Sequence, residues 1–291
     1  MSLIRSASGL SNYRHFIDSE IIVYIEGQEG KHDKYFYENL ITLFTAKKVT
    51  FIPKGSSTTV FDYLSKISSE NIENSFVIFD KDLTGLTISK RYQNKMITTC
   101  FYSWENDLLD KNIVYDFFSD FCLDFGLRSK FSSIFDTELN KLDEIIISDS
   151  LLQRIGTPLL DKDKASFGVN FVLDETKKSI ISNDEISRVL NKVDYSVYVT
   201  DPVFMDLRVE FGLFDIRMYI QGHFYEYFCY RLVHCLVSDH DPNFKKLSQN
   251  NFMTIILGKF SKSPREFIND EVYEHYLREF SRVFGEIDHA L

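Results

Sequence analysis

Proline and glycine are scarce here, 5 and 12 in 291 residues. Turns and loops draw on these two residues, so their shortage predicts a dense, mostly regular chain. Cysteine is scarce as well. Cys100, Cys122, Cys229 and Cys235 form no C-x-x-C pair, and all sit in apolar neighbourhoods. That excludes a zinc site and a disulfide frame, and reads as buried thiols in a reducing, cytoplasmic compartment. No run of about eighteen apolar residues exists, so nothing is expected to span a membrane. The opening MSLIRSASGLSNYRHF has neither an apolar core nor a cleavage-site pattern, so no signal peptide is expected. No G-x-x-x-x-G-K-[S/T] occurs. The nearest run, Gly27 to His32, has the wrong glycine spacing and no Ser or Thr after its lysine. If ATP matters, a partner must bring it. Internal repeats and low-complexity tracts are also missing. Positive charge is in deficit, with 33 Lys and Arg against 43 Asp and Glu, a net charge of −10. This counts against a broad phosphate-binding surface. A local basic groove beside a bound divalent ion stays open, because the ion brings charge of its own.

What is present is a globular composition, 44% hydrophobic and 26% charged, with an aromatic share of 15%. The length suits one large domain or two modest ones. Residues 1–18 are polar and Ser-rich, an expected loose arm or first partner contact. EIIVYIE (20–26) reads as a buried strand. Phe36, Leu40, Leu43 and Phe44 then fall at helical spacing. VTFIP (49–53) is a second strand stopped by Pro53. Val60, Phe61, Leu64 and Ile67 mark a second helix, expected to be capped by Ser57 or Thr58. SFVIFD (75–80) and MITTCFY (96–102) are further strands. Continuous apolar strands alternating with helices predict an α/β fold, a mostly parallel sheet flanked by helices over residues 19–110. Residues 111–291 are expected to be mainly helical. Stripes at 113–122, 224–232 and 273–284 mark helices there, with short strands near 168–173 and 195–200. Ser182-x-x-Glu185 looks like a capping box.

Two acidic signals share one structural logic. Glu26 ends the first strand and precedes Gly27; Asp80 and Asp82 follow the third strand. Open parallel sheets bind ligands beyond the carboxyl ends of their strands. Asp80 and Asp82, two apart in an extended segment, point the same way. Three carboxylates gathered there repel one another unless a cation sits between them, and oxygen ligands suit Mg²⁺ or Mn²⁺. The plainer reading is that a strand-end Glu is solvated and that D-x-D alone is weak. Asp161-Lys162-Asp163 is another D-x-D, read as a loop.

YIEG (24–27) and FDKD (79–82), separated by 80 − 26 = 54 residues, resemble the Glu-Gly and Asp-x-Asp signature of TOPRIM domains. Those domains occur in topoisomerases, primases and OLD-type nucleases. FYSWENDLLD (101–110) and RMYIQGHFYEYF (217–228) are similar to segments of the TOPRIM-like DUF4435 group. Within it, the size and layout look most like the TOPRIM effectors of the PARIS anti-phage defence system. The resemblance implies a Mg²⁺-dependent endonuclease with Glu26, Asp80 and Asp82 as metal ligands and catalytic groups. It also implies an ABC-type ATPase partner that restrains the chain, a homodimer when active, and host tRNA as substrate. Relatives carry an acidic residue soon after Glu-Gly. Here the loop is longer, and Glu29, Asp33 or neither fills that place.

Other positions have two readings each. Lys54 and Ser56 contact a phosphate or form a solvated turn. Glu105 is a fourth acidic group or a helix N-terminal charge. His223 is a structural histidine or a helper at the site rim. Lys31, Lys34, Lys47 and Lys48 form a solvated helix face or a modest RNA-contact stripe. The aromatic helices at 224–236 and 272–284 are core, with part left for a dimer face or the ATPase contact. Three functions compete. One is a nuclease, and DNA stays open as its substrate. Another is a non-catalytic module that docks on an ATPase. The last is a phosphoryl or nucleotidyl transferase using the same metal site.

Overall fold

The computed structural model describes residues 18–81, 90–154, 156–161, 164, 166–171, 180–192, 209, 215–241, 244 and 247–285, together with 6, 9 and 10. The chain forms two compact units. One joins Met1–Asp107 with Leu257–Leu291; the other is Leu108–Ile256.

The first unit is built on four strands, β1 (Ile21–Ile25), β2 (Val49–Pro53), β3 (Ser75–Phe79) and β4 (Met96–Thr98). All pairings are parallel, in the order β2-β1-β3-β4. β1 and β3 are buried along their whole length, which is why they read as unbroken apolar runs. β2 is an edge strand, and Pro53, which has no N–H to donate, is tolerated at its end. β4 is shorter than the run 96–102 suggests, because the chain turns at Thr99 to follow side-chain rather than ladder hydrogen bonds.

Helices cover both faces. Alternation puts Ile22 and Tyr24 of β1 and Val77 of β3 on one face. There they pack with Val60, Tyr63, Leu64 and Ile67 of the helix Ser57–Ser69, and with Leu10. The other face meets α1 (His32–Leu40), which is followed by a single 3-10 turn at Ile41–Leu43. The C-terminal helices complete this layer. Phe36 stacks on Phe260 at 5.4 Å, Phe44 lies 5.2 Å from Phe280, and Phe76 meets Phe284 edge-on at 5.0 Å. Burying side chains of this size contributes roughly 1.5–3 kcal/mol each. The helix Ser57–Ser69, α2 here, is capped by Ser56, whose oxygen accepts from Thr59 N. The expected caps Ser57 and Thr58 lie inside the helix, because Ser56, extended after the positive-φ Gly55, already takes the cap position. α3 (Trp104–Leu108) follows the sheet.

The second unit is helical among its described residues. It contains α4 (Lys111–Phe121), α5 (Phe125–Asn140), α6 (Asp143–Arg154), α7 (Asn183–Leu190) and α8 (Gly222–His240). α9 (Gln249–Phe260) leads back to the first unit, which ends with α10 (Pro264–Phe267) and α11 (Asp270–Phe284). Phe118 stacks on Phe131 at 4.8 Å, and Phe117 meets Phe252 edge-on at 4.9 Å. The predicted cap of α7 forms only in part. Ser182 accepts from Glu185 N at 3.1 Å, while the Glu185 carboxylate turns to Asn170 and Arg188. Residues 168–171 are turn and irregular backbone, not a strand; residues 172–173 and 195–200 lie outside the described residues. No helix among the described residues is long and apolar enough to cross a membrane.

Candidate metal centre

Ile25, the last residue of β1, pairs in register with Ile78 of β3. Glu26 and Asp80 therefore leave the sheet at the same edge, from neighbouring strands. The chain passes from β1 outward to β2, then returns across β1 to β3 and continues to β4. The direction of winding reverses between β1 and β3. The crevice beyond the carboxyl ends at such a reversal is the general ligand site of open α/β sheets.

The backbone beside Glu26 is fixed by a short antiparallel bridge. Gly27 N donates to Gly55 O at 2.9 Å, Gly55 N to Gly27 O at 2.7 Å, and Lys54 N to Ile25 O at 2.9 Å. Gly27 has a φ of +99°, a region that favours glycine. Its missing side chain makes room for Asp33. A Cβ at Gly27 would run into the Asp33 carboxylate. Asp33 stands in the first turn of α1, where the helix dipole favours an anion. Glu29, the other acid of this loop, is exposed and paired with Lys34 at 2.5 Å. The loop thus directs Asp33 toward Glu26-Gly27 and Glu29 away.

A buried tyrosine, Tyr37, feels the charge of several of these acids. Burial pushes the Tyr37 phenol well above its ordinary value, and the charges of Asp80, Asp107, Glu105 and Asp33 push it the same way. Acids from three segments, Asp33 on α1, Asp80 after β3, and Glu105 with Asp107 on α3, thus act on one hydroxyl, which stays protonated at neutral pH. Glu105 is itself buried, on α3. Ser103 Oγ lies 2.6 Å from Glu105 and 2.7 Å from Asn106 Oδ1, and its single hydrogen serves one of them at a time. Glu105 stands in the first turn of α3, and its charge is one of those acting on Tyr37.

Asp80 is followed by Lys81, whose amide donates to Thr99 Oγ at 2.8 Å and whose ammonium reaches Cys100 O at 3.1 Å. Asp82 lies outside the described residues. Lys54 holds its ammonium over the rings of Tyr63 and Tyr24, 4.9 and 5.5 Å from their centres, a cation–π contact. Ser56 is exposed and serves as the helix cap described above. Of the four lysines, Lys34 pairs with Glu29 and Lys48 with Asp18 at 2.7 Å. His223 belongs to the second unit, in the first turn of α8. It is exposed, with Nδ1 3.7 Å from Glu226. The segment 217–228 also lines a pocket of about 230 Å³ in that unit. There Arg217 pairs with Asp215 at 2.8 Å and Asp110 at 3.7 Å. Burial opposes its charge, yet Asp215 holds the guanidinium above its ordinary value.

Sequence reasoning passed over Tyr37, Lys81, Thr99 and Asp107. Asp107 stands in the same string as Glu105, and Lys81 lies between Asp80 and Asp82. The partners that tie Asp107 to Tyr276 and Lys81 to Thr99 are distant in sequence, so spacing carried no signal for those links. No protein-family model matches the chain, and no curated protein matches its sequence.

Proposed function

We propose that this chain is a metal-dependent TOPRIM-type nuclease, the toxic effector of an anti-phage defence system, cutting host tRNA after release from an ABC-type ATPase. The observation that carries the reading is the exit of Glu26 and Asp80 from adjacent parallel strands at the point where the winding reverses. Asp33, pressed on Gly27, and buried Glu105 add oxygen donors to the same region. Such an all-oxygen set fits Mg²⁺ or Mn²⁺. Glu26 and Asp80 would hold the ion. Asp82 joins them on the sequence pattern alone. When bound, the ion polarises a scissile phosphate and stabilises charge on its oxygens.

The chain's own groups divide the remaining work. Glu26 either shares the ion with Asp80 or serves as the general acid or base, the group that takes a proton from an attacking water. Tyr37, kept protonated among the acids, can donate a hydrogen bond but not act as a base. Dimerisation and the cytoplasmic setting belong to the same proposal.

The test is expression of wild type and Glu26→Ala in a bacterium with the ATPase partner and its trigger, followed by denaturing gels of small RNA and DNA. tRNA fragments with wild type alone support the reading. Intact nucleic acid with both, when both fold and engage the partner, removes the nuclease and leaves a docking module.

A further inference from the structure

The last helix of the chain reaches the candidate metal edge through a continuous set of hydrogen bonds. α11 docks on β4 and the loop after it by three side chains. Arg282 donates to Met96 O at 2.8 Å, His275 Nε2 lies 2.8 Å from Thr98 O, and Tyr276 donates its hydroxyl to Asp107 Oδ2 at 2.7 Å. Asp107 is fully buried. Its carboxylate also accepts from Cys100 N at 3.0 Å and Phe101 N at 2.8 Å, which closes the loop 100–107 on itself. Phe101 O in turn accepts from Thr99 Oγ at 2.8 Å. Thr99 Oγ itself accepts from Lys81 N at 2.8 Å, and Lys81 Nζ donates to Cys100 O at 3.1 Å. Lys81 is the residue after Asp80.

We propose that Tyr276, Asp107 and Thr99 are positioning residues of the strand-end site, and that α11 sets the place of Asp80 through them. Each link is a hydrogen bond between buried or half-buried groups, where an unmade bond leaves a polar atom uncompensated. Loosening the Tyr276 end therefore loosens the Lys81 end. The geometry of the relay stands by itself; its consequence for metal binding rests on the reading of Glu26 and Asp80 as ion ligands.

Both halves are tested on the full chain. Amide exchange at Lys81, Cys100 and Phe101 is followed by NMR in metal-free protein, for wild type, Tyr276→Phe, Thr99→Val and the control Ile67→Val. Mn²⁺ binding is titrated by electron paramagnetic resonance on the same samples. Tyr276→Phe speeds exchange at all three amides by about tenfold, the factor that loss of one hydrogen bond to a charged group yields. Thr99→Val speeds Lys81 alone, because Asp107 still holds Cys100 and Phe101. Mn²⁺ affinity falls in both variants and stays at the wild-type value in Ile67→Val. An unchanged Lys81 rate in Tyr276→Phe overturns the relay. Should Tyr276→Phe not fold, an unchanged Lys81 rate in Thr99→Val does so. Full Mn²⁺ affinity in variants with a loosened Lys81 overturns the positioning role. Wild type that binds no Mn²⁺ while Lys81 responds as described overturns the metal reading and leaves the relay standing.

Discussion

Gly27 and Asp33 occupy one space between them: the carboxylate of Asp33 fills the position where any other residue at 27 would place its Cβ. Gly27 also has a φ of +99°. Gly27→Ala therefore meets two obstacles, a backbone region hostile to L side chains and a direct clash. The expected loss is about 2–4 kcal/mol of stability. Asp33→Ala on that background restores the part due to the clash and leaves the backbone part. Thermal unfolding of the single and double variants separates the two. A Gly27→Ala protein as stable as wild type would show that Asp33 does not pack there in solution.

Asp80 and Asp107 lie near the same tyrosine but do different jobs, and isosteric amides distinguish them. Asp80→Asn removes one charge from the strand-end edge and keeps the size of the side chain. Cleavage should fall by roughly 10²–10⁴-fold or more. Asp107→Asn replaces an acceptor of three hydrogen bonds, from Cys100 N, Phe101 N and Tyr276, with a group that is half donor. At least one buried donor is left unmade, at a cost of about 1–3 kcal/mol. Melting curves and activity on the same preparations check both.

Acid should weaken the second unit through Glu185. The Arg188 side chain beside it holds the Glu185 carboxyl below its ordinary 4.5, and the donors of Asn170 act the same way. The folded state therefore binds this proton less readily than the unfolded chain. The stabilisation is complete above the ordinary value and is lost as pH falls below 4.5 through the folded value. Glu185→Gln should be less stable than wild type at neutral pH, and the difference should close in that acid range. Denaturant melts from pH 7 down to pH 3 follow it. A constant difference across the range would remove Glu185 as the cause.

The strands and the acidic edge were legible because their signals are local. IIVYI and SFVIF are unbroken apolar runs, and each ends in an acid that leaves the sheet where sheets bind ligands. α11 was legible for the same reason, with Tyr276 and Phe280 on one stripe over a charged face. α9 was not. QNNFMTIILGKF carries apolar residues on more than one side, since Phe252, Met253, Ile256 and Leu257 are all buried, so no single stripe marks its period. Nothing local told Glu29 from Asp33. The choice depends on Lys34 drawing one acid outward and on Gly27 making room for the other. Asp107 and Tyr276 meet across most of the chain, and no spacing rule reaches that far.

The four cysteines give a test that depends on no assumption about catalysis. All four are free and buried, as the apolar neighbourhoods predict. The attacking species in alkylation is the thiolate, so reactivity needs both access and ionisation. Cys229 has neither, since burial pushes its thiol well above the ordinary value and outweighs the Tyr225 hydroxyl, which acts the other way. Native protein at pH 8 should therefore take up a thiol reagent only as fast as it opens, with Cys229 last. Guanidine-unfolded protein should take up 4 equivalents at once. Mass spectrometry of partly labelled native samples orders the sites. Cys100, 5% exposed, should precede Cys229, which is 0% exposed. Early labelling of Cys229 would mean that α8 unfolds locally before the sheet unit does, because the helix has to open for the reagent to reach that sulfur.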